Sequence, residues 1–256
     1  MTLNNDGSCT VTDNGRGIPV GMHAKGVSAE RVVFTTLHAG GKFDHSVYKT
    51  SGGLHGVGSS VVNALSTYMD VEISREGHIY HDRYEKGKPV LKLEKGLLPI
   101  IGDTKKTGTK ITFLPDPTIF EKTRFKEDEI KSRLHETAYL NPALTIIYDD
   151  NREGMDEHIT FHEEDGLSGF IRDLNANNEP VTDIVTLSGE SDGIQVDVAF
   201  QFVNEFHENI MGFCNNIYNA EGGTHITGLK TVFTTVINSY ARQLGIFKEK
   251  DANFTG

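Results

Sequence analysis

Thr12-Asp13-Asn14-Gly15-Arg16-Gly17-Ile18-Pro19 and Gly53-Leu54-His55-Gly56-Val57-Gly58 are the two stretches that decide how this chain is read. The first sets a carboxylate and two glycines just past a short alternating segment. The second runs three glycines into a segment carrying Val61, Val62 and Leu65 at helical spacing. An Asp at a strand end, followed by glycines, sits on a pocket floor with little steric cover. Its carboxylate only accepts hydrogen bonds, so it suits the exocyclic amine of adenine and disfavours the keto oxygen of guanine. Glycine backbone can take positive φ and approach a ligand closely. A helix N-terminus then aims N–H groups and a positive dipole end at whatever precedes it, which suits polyphosphate. Taken singly, each string also has a plainer reading: an Asx turn for Asp13, and a tight loop between packed elements for residues 53–58. The second string is neither the dinucleotide pattern nor a Walker loop.

Working outward, residues 2–12 read as two strands around the Asn5-Asp6-Gly7 turn. Met1 falls inside the first of them, so the start reads as a cut edge. Only twelve residues precede Asp13, and none is a candidate catalytic acid or base. Ser28 is placed to cap a helix running to Leu37, with Ala29, Val32, Val33 and Leu37 on one face. A glycine-rich connection carrying Lys42, Tyr48 and Lys49 follows. Residues 71–74 and 78–81 read as strands around Glu76-Gly77, and residues 110–113 as another. Residues 126–140 read as a helix with Ile130, Leu134 and Ala138 in register, closed by Asn141-Pro142, and residues 144–148 as a strand.

The Asn-rich stretch 175–180 marks a boundary, giving domains at 1–176 and 177–256. Beyond it Ile194, Val196, Val198, Phe200 and Phe202 alternate along a strand. Glu221-Gly222-Gly223-Thr224-His225 then opens a helix with Ile226, Leu229, Val232, Phe233, Val236, Ile237 and Tyr240 on one face.

Composition bounds the function. With 25 basic and 36 acidic residues the net charge is −11, which argues against a dominant DNA-backbone contact by this piece. Cys9 and Cys214 are far apart and form no C-x-x-C, as expected of free thiols in a reducing compartment. There is no long apolar run and no basic-then-apolar leader, so the reading is cytoplasmic, without membrane contact.

Further candidates are each ambiguous alone. Lys42 and Lys49 could reach a phosphate as point charges. The Thr109 hydroxyl, in Lys106-Thr107-Gly108-Thr109, could join Asp13 on a base edge, directly or through water. Arg16 could be an ion-pair partner or a rim residue, and Arg75 reads as a surface arginine on a hairpin. His55, flanked by glycines, reads as a positioning residue and not a general base. His158, His162, Glu163, Glu164 and Asp165 match no zinc spacing and read as a solvated acidic face.

Taken in order, these strings resemble one family. Residues 12–19, Leu37-His38-Ala39-Gly40-Gly41-Lys42-Phe43, Tyr48-Lys49, Ser51-Gly52 with residues 53–58, Lys106-Thr107-Gly108-Thr109 and residues 221–225 look like the ATPase region of the bacterial DNA gyrase B protein. The corresponding B-type chain of topoisomerase IV shares most of them; the whole set leans toward gyrase. The strings of residues 37–43 and 221–225 argue against other members of the wider GHKL ATPase family.

The resemblance implies an α/β (α+β) fold: a Bergerat-type ATP-binding sandwich with helices on one side of a mixed sheet. A transducer domain of ribosomal-S5-like βαβ type follows, and both are incomplete here. It also implies roles. Asp13 holds the adenine amine with Thr109 assisting through water, while Gly17, Ile18 and Pro19 wall the base. Lys42 lies by the phosphates and Tyr48 near the adenine. Gly53, Leu54, His55, Gly56, Val57 and Gly58 wrap the triphosphate, and Ile111 lines the floor. Arg16 and Arg75 form the rim where aminocoumarin inhibitors bind.

The cofactors implied are ATP and, in an intact parent, Mg²⁺. The partners are DNA, an A-type cleavage subunit, and a second B-type ATPase region on ATP binding. In the family the general-base glutamate and the Mg²⁺-ligating asparagine come from an upstream helix, and a γ-phosphate lysine from a downstream loop. None has a counterpart in this sequence, so no catalytic or metal residue is assigned, and the isolated chain is expected not to hydrolyse ATP. A non-hydrolysing nucleotide-binding remnant is the competing expectation.

Overall fold

The turn after Asn4 folds the chain back on itself at once. Gly7 takes φ +86°, and Asp6 Oδ1 accepts the Ser8 N–H at 2.9 Å. β1 (Thr2–Leu3) therefore pairs antiparallel with β2 (Cys9–Thr12). The computed structural model describes residues 1–38, 52 and 55–255. In chain order there follow α1 (Ala29–Thr35), α2 (Gly58–Ala64), β3 (Ser66–Arg75), β4 (His78–Glu85), β5 (Lys88–Pro89) and β6 (Ile100–Asp103). Next come β7 (Gly108–Pro115), α3 (Glu127–Leu140), β8 (Ile146–Asp150), β9 (Glu157–Phe161), α4 (Gly166–Leu174), β10 (Val185–Ser191) and β11 (Ile194–Phe200).

Among the described residues β1 to β9 form one sheet, ordered β5-β4-β3-β7-β2-β1-β8-β9, with β6 also on β4. Every pairing is antiparallel except β1 with β8, so the sheet is mixed. The registers set Met69 opposite Phe113, Phe113 opposite Cys9, and Cys9 opposite Leu3. These side chains share one face, because alternate residues of a strand point the same way. Helices cover that face in two patches. Phe34 of α1 packs with Met69, Val71, Ile73 and Tyr84. Ala138 of α3 packs with Leu3, Cys9, Tyr148 and Phe161. Phe113 touches both patches.

Two helix faces differ from the sequence expectation. α1 buries Glu30, Val32 and Phe34, while Leu37 is 59% exposed. The helix ends at Thr35 and Thr36 is extended (φ −122°, ψ 128°), so Leu37 no longer shares the helical register. Ser28 makes no side-chain cap; its hydroxyl donates to the Val20 carbonyl at 3.3 Å. α2 buries Ser60 and Asn63 and leaves Val61 and Val62 exposed, because Asn63 Nδ2 donates to the Phe34 carbonyl of α1 at 3.0 Å. α3 follows its expected register, with Ile130 and Leu134 packed beside Ala138.

The sequence reading did not include β9 or α4. α4 is held to α3 by stacking of Tyr139 on Phe170 (centroids 5.0 Å apart) and by the Tyr139 hydroxyl bond to Asp173. His135 also stacks on Tyr139 at 4.5 Å.

The chain forms two compact units that divide between Asn204 and Glu205. The sequence expectation sets its boundary at 176/177 instead. The difference arises because α4 packs against β10 and β11, which keeps that hairpin with the first unit. The second unit contains β12 (Phe213–Cys214), β13 (Ile217–Tyr218) and α5 (Thr224–Gln243). α5 buries Asn238 and Ala241, whereas Val232, Val236, Ile237 and Tyr240 of its expected apolar face are exposed. Among the described residues no helix is long and apolar enough to cross a membrane.

Candidate functional site

Strand register brings the ends of β2, β3 and β7 to one corner of the sheet. Thr12 faces Lys110, and Ser74 and Ile73 of β3 face Gly108 and Thr109. Asp13 extends β2 by one step, its N–H donating to the Thr109 carbonyl at 2.9 Å. The chain then turns sharply. Asp13 Oδ1 accepts the Gly15 N–H at 2.8 Å, an Asx turn, and the Asp13 side chain is exposed. The Asx turn of the plain reading is thus present, on a carboxylate that stays open to solvent.

The turn is pressed against its neighbours. At Gly17 (φ +72°) a Cβ would lie 2.8 Å from the Ser74 carbonyl oxygen. At Gly108 (φ +147°) it would lie 2.1 Å from the Asp13 carbonyl oxygen. Only glycine permits approaches this close. Thr109 is buried, and its Oγ1 accepts the Ile18 N–H at 3.4 Å. Ile18 and Ile111 are half-buried against the α1-side core, and Pro19 is exposed.

Arg75 is not a free surface arginine. Its Nη1 donates to the Gly17 carbonyl at 2.7 Å and the Arg16 carbonyl at 3.3 Å, and its Nε pairs with Glu76 at 3.2 Å. The signal was present in Glu76-Gly77: that turn ends β3 at Arg75, one residue past the partner of Gly108. Arg75 therefore clips the base of the turn. Arg16 is exposed on the same turn.

The glycine string approaches the helices. His55, Gly56 (φ +58°) and Val57 lead into α2, which starts at Gly58. His38 Nδ1 lies 2.8 Å from the His55 carbonyl, so the residues after α1 meet those before α2. Lys42, Tyr48, Lys49, Gly53 and Leu54 lie outside the described residues. His158 and His162 pair with Asp149 (2.6 Å) and Glu164 (3.5 Å), away from this corner.

A family model described as histidine kinase-, DNA gyrase B-, and HSP90-like ATPase matches residues 2–119. A second, DNA gyrase B, matches residues 166–256. The B subunit of DNA topoisomerase 4 from Streptococcus pneumoniae is 51% identical over all of this chain, and that from Staphylococcus aureus 48%. The chain belongs to the B-subunit family of type II topoisomerases. It spans 39% and 38% of the length of these two relatives. The 43K ATPase domain of Thermus thermophilus gyrase B, solved in complex with an aminocoumarin, superposes with a TM-score of 0.80 at 34% identity. That match covers the whole chain and 64% of the solved one. The B-subunit chain thus carries the GHKL ATPase fold followed by a transducer-like region.

Proposed function

We propose that this chain is the ATP-binding and transducer region of a type II topoisomerase B subunit, of the topoisomerase IV type. The observation that carries the reading is the corner where the open Asp13 carboxylate, the buried Thr109 hydroxyl and the glycine backbone of residues 15–17 converge. The chemistry fits adenine. A carboxylate accepts from the exocyclic amine, and a hydroxyl can both accept and donate at the neighbouring ring nitrogen, directly or through water. Gly17, Ile18 and Pro19 then wall the base and Ile111 floors it, with Arg16 and Arg75 at the rim. Residues 53–58 and Lys42 take the phosphates, and Tyr48 lies near the adenine. We take the domain roles to divide at 176/177, ahead of the β10–β11 hairpin and inside the first compact unit. Identity of 48–51% to topoisomerase 4 B subunits, against 34% to a gyrase B domain, supports topoisomerase IV over the gyrase reading that the strings alone favour.

In the parent enzyme, nucleotide binding would close two B-type regions into a gate on a DNA segment, in the cytoplasm, with an A-type subunit cutting the DNA. Mg²⁺ would screen the phosphates. Among the described residues no group of three His, Cys, Asp or Glu side chains is placed to hold a metal.

Calorimetry with non-hydrolysable ATP and GTP analogues tests the reading. The protein binds the ATP analogue in preference, and Asp13→Asn weakens it by about 1.5–3 kcal/mol, the worth of a charged hydrogen bond. Equal affinity in the variant removes Asp13 from the base site. Absence of binding by folded protein overturns the proposal.

A further inference from the structure

α1 is fastened to β4 through two carboxyl groups that the core encloses completely. Glu30 and Asp82 are both 0% exposed. Asp82 is answered by Arg31, whose Nε and Nη2 reach its two oxygens at 2.7 and 3.0 Å. Arg31 Nη2 also donates to the Leu91 carbonyl at 2.5 Å. Glu30 Oε1 accepts the hydroxyl of buried Tyr84 at 2.8 Å, and its Oε2 is buried with no hydrogen-bond partner. The ionisable groups facing Glu30 are therefore Asp82 and Tyr84 from β4 and Arg31 from α1. Around them the described apolar core includes Met69, Val71 and Ile73 of β3 and Leu98 from the segment before β6.

One guanidinium thus stands beside two enclosed carboxyls and bonds Asp82. Two carboxylates sharing a dry site cannot both ionise cheaply, so the one that lacks the guanidinium keeps its proton. Desolvation first, and the charge of Asp82 second, push the Glu30 carboxyl up to about 8.

α1 in turn holds the glycine string. Asn63 of α2 is 1% exposed and donates to the Phe34 carbonyl of α1, and His38 meets the His55 carbonyl. Residues 55–58 are therefore flanked by one bond from α2 to α1 and one to His38, three residues past the end of α1.

We infer that Glu30 is a positioning residue: as a neutral acid it seats α1 on β4, and losing its proton loosens α1 together with the string around Gly56. The inference rests on the reading of that string as a phosphate binder. The folded protein holds a proton that the unfolded chain releases at ordinary carboxylate pH. Stability from this group therefore falls as pH rises from about 4.5 to about 8 and is level beyond.

Glu30→Gln is isosteric with the neutral acid and cannot ionise. Tm and affinity for a non-hydrolysable ATP analogue are measured for both proteins from about pH 6 to about pH 9. The Tm of the variant gains on wild type as pH rises and then levels. Wild type loses affinity on the order of 5–10-fold between neutral and alkaline pH, a typical coupling, while the variant holds its own. Parallel profiles in both measurements overturn the inference. A widening Tm gap with parallel affinities overturns the positioning role. If wild type binds nothing at any pH, the nucleotide reading fails and the positioning role with it, whereas the Tm profiles still decide the Glu30 proton. Should the variant fail to fold, the side-chain carboxyl ¹³C resonances of wild type decide. One glutamate titrating near pH 8 supports the inference; titration of every glutamate in the ordinary range overturns it.

Discussion

Replacing Gly108 with alanine drives a methyl group into the backbone of Asp13. The new Cβ would lie 2.1 Å from the Asp13 carbonyl oxygen and 3.1 Å from its carbonyl carbon, at φ +147°. A comfortable carbon–oxygen contact is about 3.3 Å, so the start of β7 and the end of β2 must part by roughly 1 Å. That movement carries the Asp13 N–H to Thr109 carbonyl bond, now 2.9 Å, beyond hydrogen-bond range. Overpacking costs about 1–3 kcal/mol, the sparse backbone conformation about 1–3 kcal/mol, and the lost bond about 0.5–1.5 kcal/mol. Relaxation relieves the terms jointly, which leaves a net loss of about 3–5 kcal/mol, at the severe end for a single substitution. Urea unfolding reads it as a lower midpoint at unchanged slope. Because the same movement displaces Asp13 and Thr109, affinity for an ATP analogue falls on the order of tenfold or more, as for a lost charged hydrogen bond. A stability loss below about 1 kcal/mol with unchanged nucleotide affinity would refute the close approach of β7 to Asp13.

The far side of the sheet offers two more tests. Arg152 clamps fully buried Asp150 through Nε (2.8 Å) and Nη2 (2.5 Å) and also reaches Glu127 and the Phe125 carbonyl. Arg152→Ala strands the carboxylate and lowers stability by about 3–5 kcal/mol in urea unfolding. Hydrogen bonds from Arg152 hold Asp150 below its usual 3.8, so this contribution is present above that pH and is lost as acid titrates the folded carboxyl. In Arg152→Ala this acid-side loss is gone, so the Tm gap between wild type and variant narrows as pH falls through the carboxylate range; a gap that stays constant with pH would count against the clamp. Tyr139→Phe loses only the hydroxyl bond to exposed Asp173, about 0.5–1.5 kcal/mol. Tyr139→Ala also loses the stacks on His135 and Phe170, about 3–5 kcal/mol; equal losses in the two variants would show that the aromatic column does not join α3 to α4.

What the sequence made legible is what local chemistry dictates. The Asn5-Asp6-Gly7 and Glu76-Gly77 turns fix β1–β2 and β3–β4, with Gly7 and Gly77 both at φ +86°, because only a few residue types tolerate that backbone. Ile130, Leu134 and Ala138 show the helical period cleanly because α3 buries one simple stripe. α4 escaped notice because its packing needs glycine where helix propensity disfavours it. A Cβ at Gly169 would lie 3.1 Å from the Tyr139 ring, so the close approach of α4 to α3 outweighs the local preference. β9 escaped because residues 157–161 bury only Phe161 deeply, and Glu157 shares the half-buried face with Ile159.

The corner around Asp13 divides the same way. Asp13, Gly17 and Thr109 stand in strings whose glycines announce a turn and a close approach, so their meeting was legible before any register was known. Glu30 was not. Polar residues are seldom fully buried, and helical periodicity therefore gives a glutamate to solvent by default. Its phenolic partner Tyr84 lies 54 residues away and comes within reach only once the β3–β4 register sets Tyr84 opposite Met69. A buried acid with a distant partner leaves no periodic trace in the sequence, whereas a glycine with a local purpose does. The groups that shape the corner are thus readable from short strings, and those that join α1 to β4 emerge only from the assembled sheet.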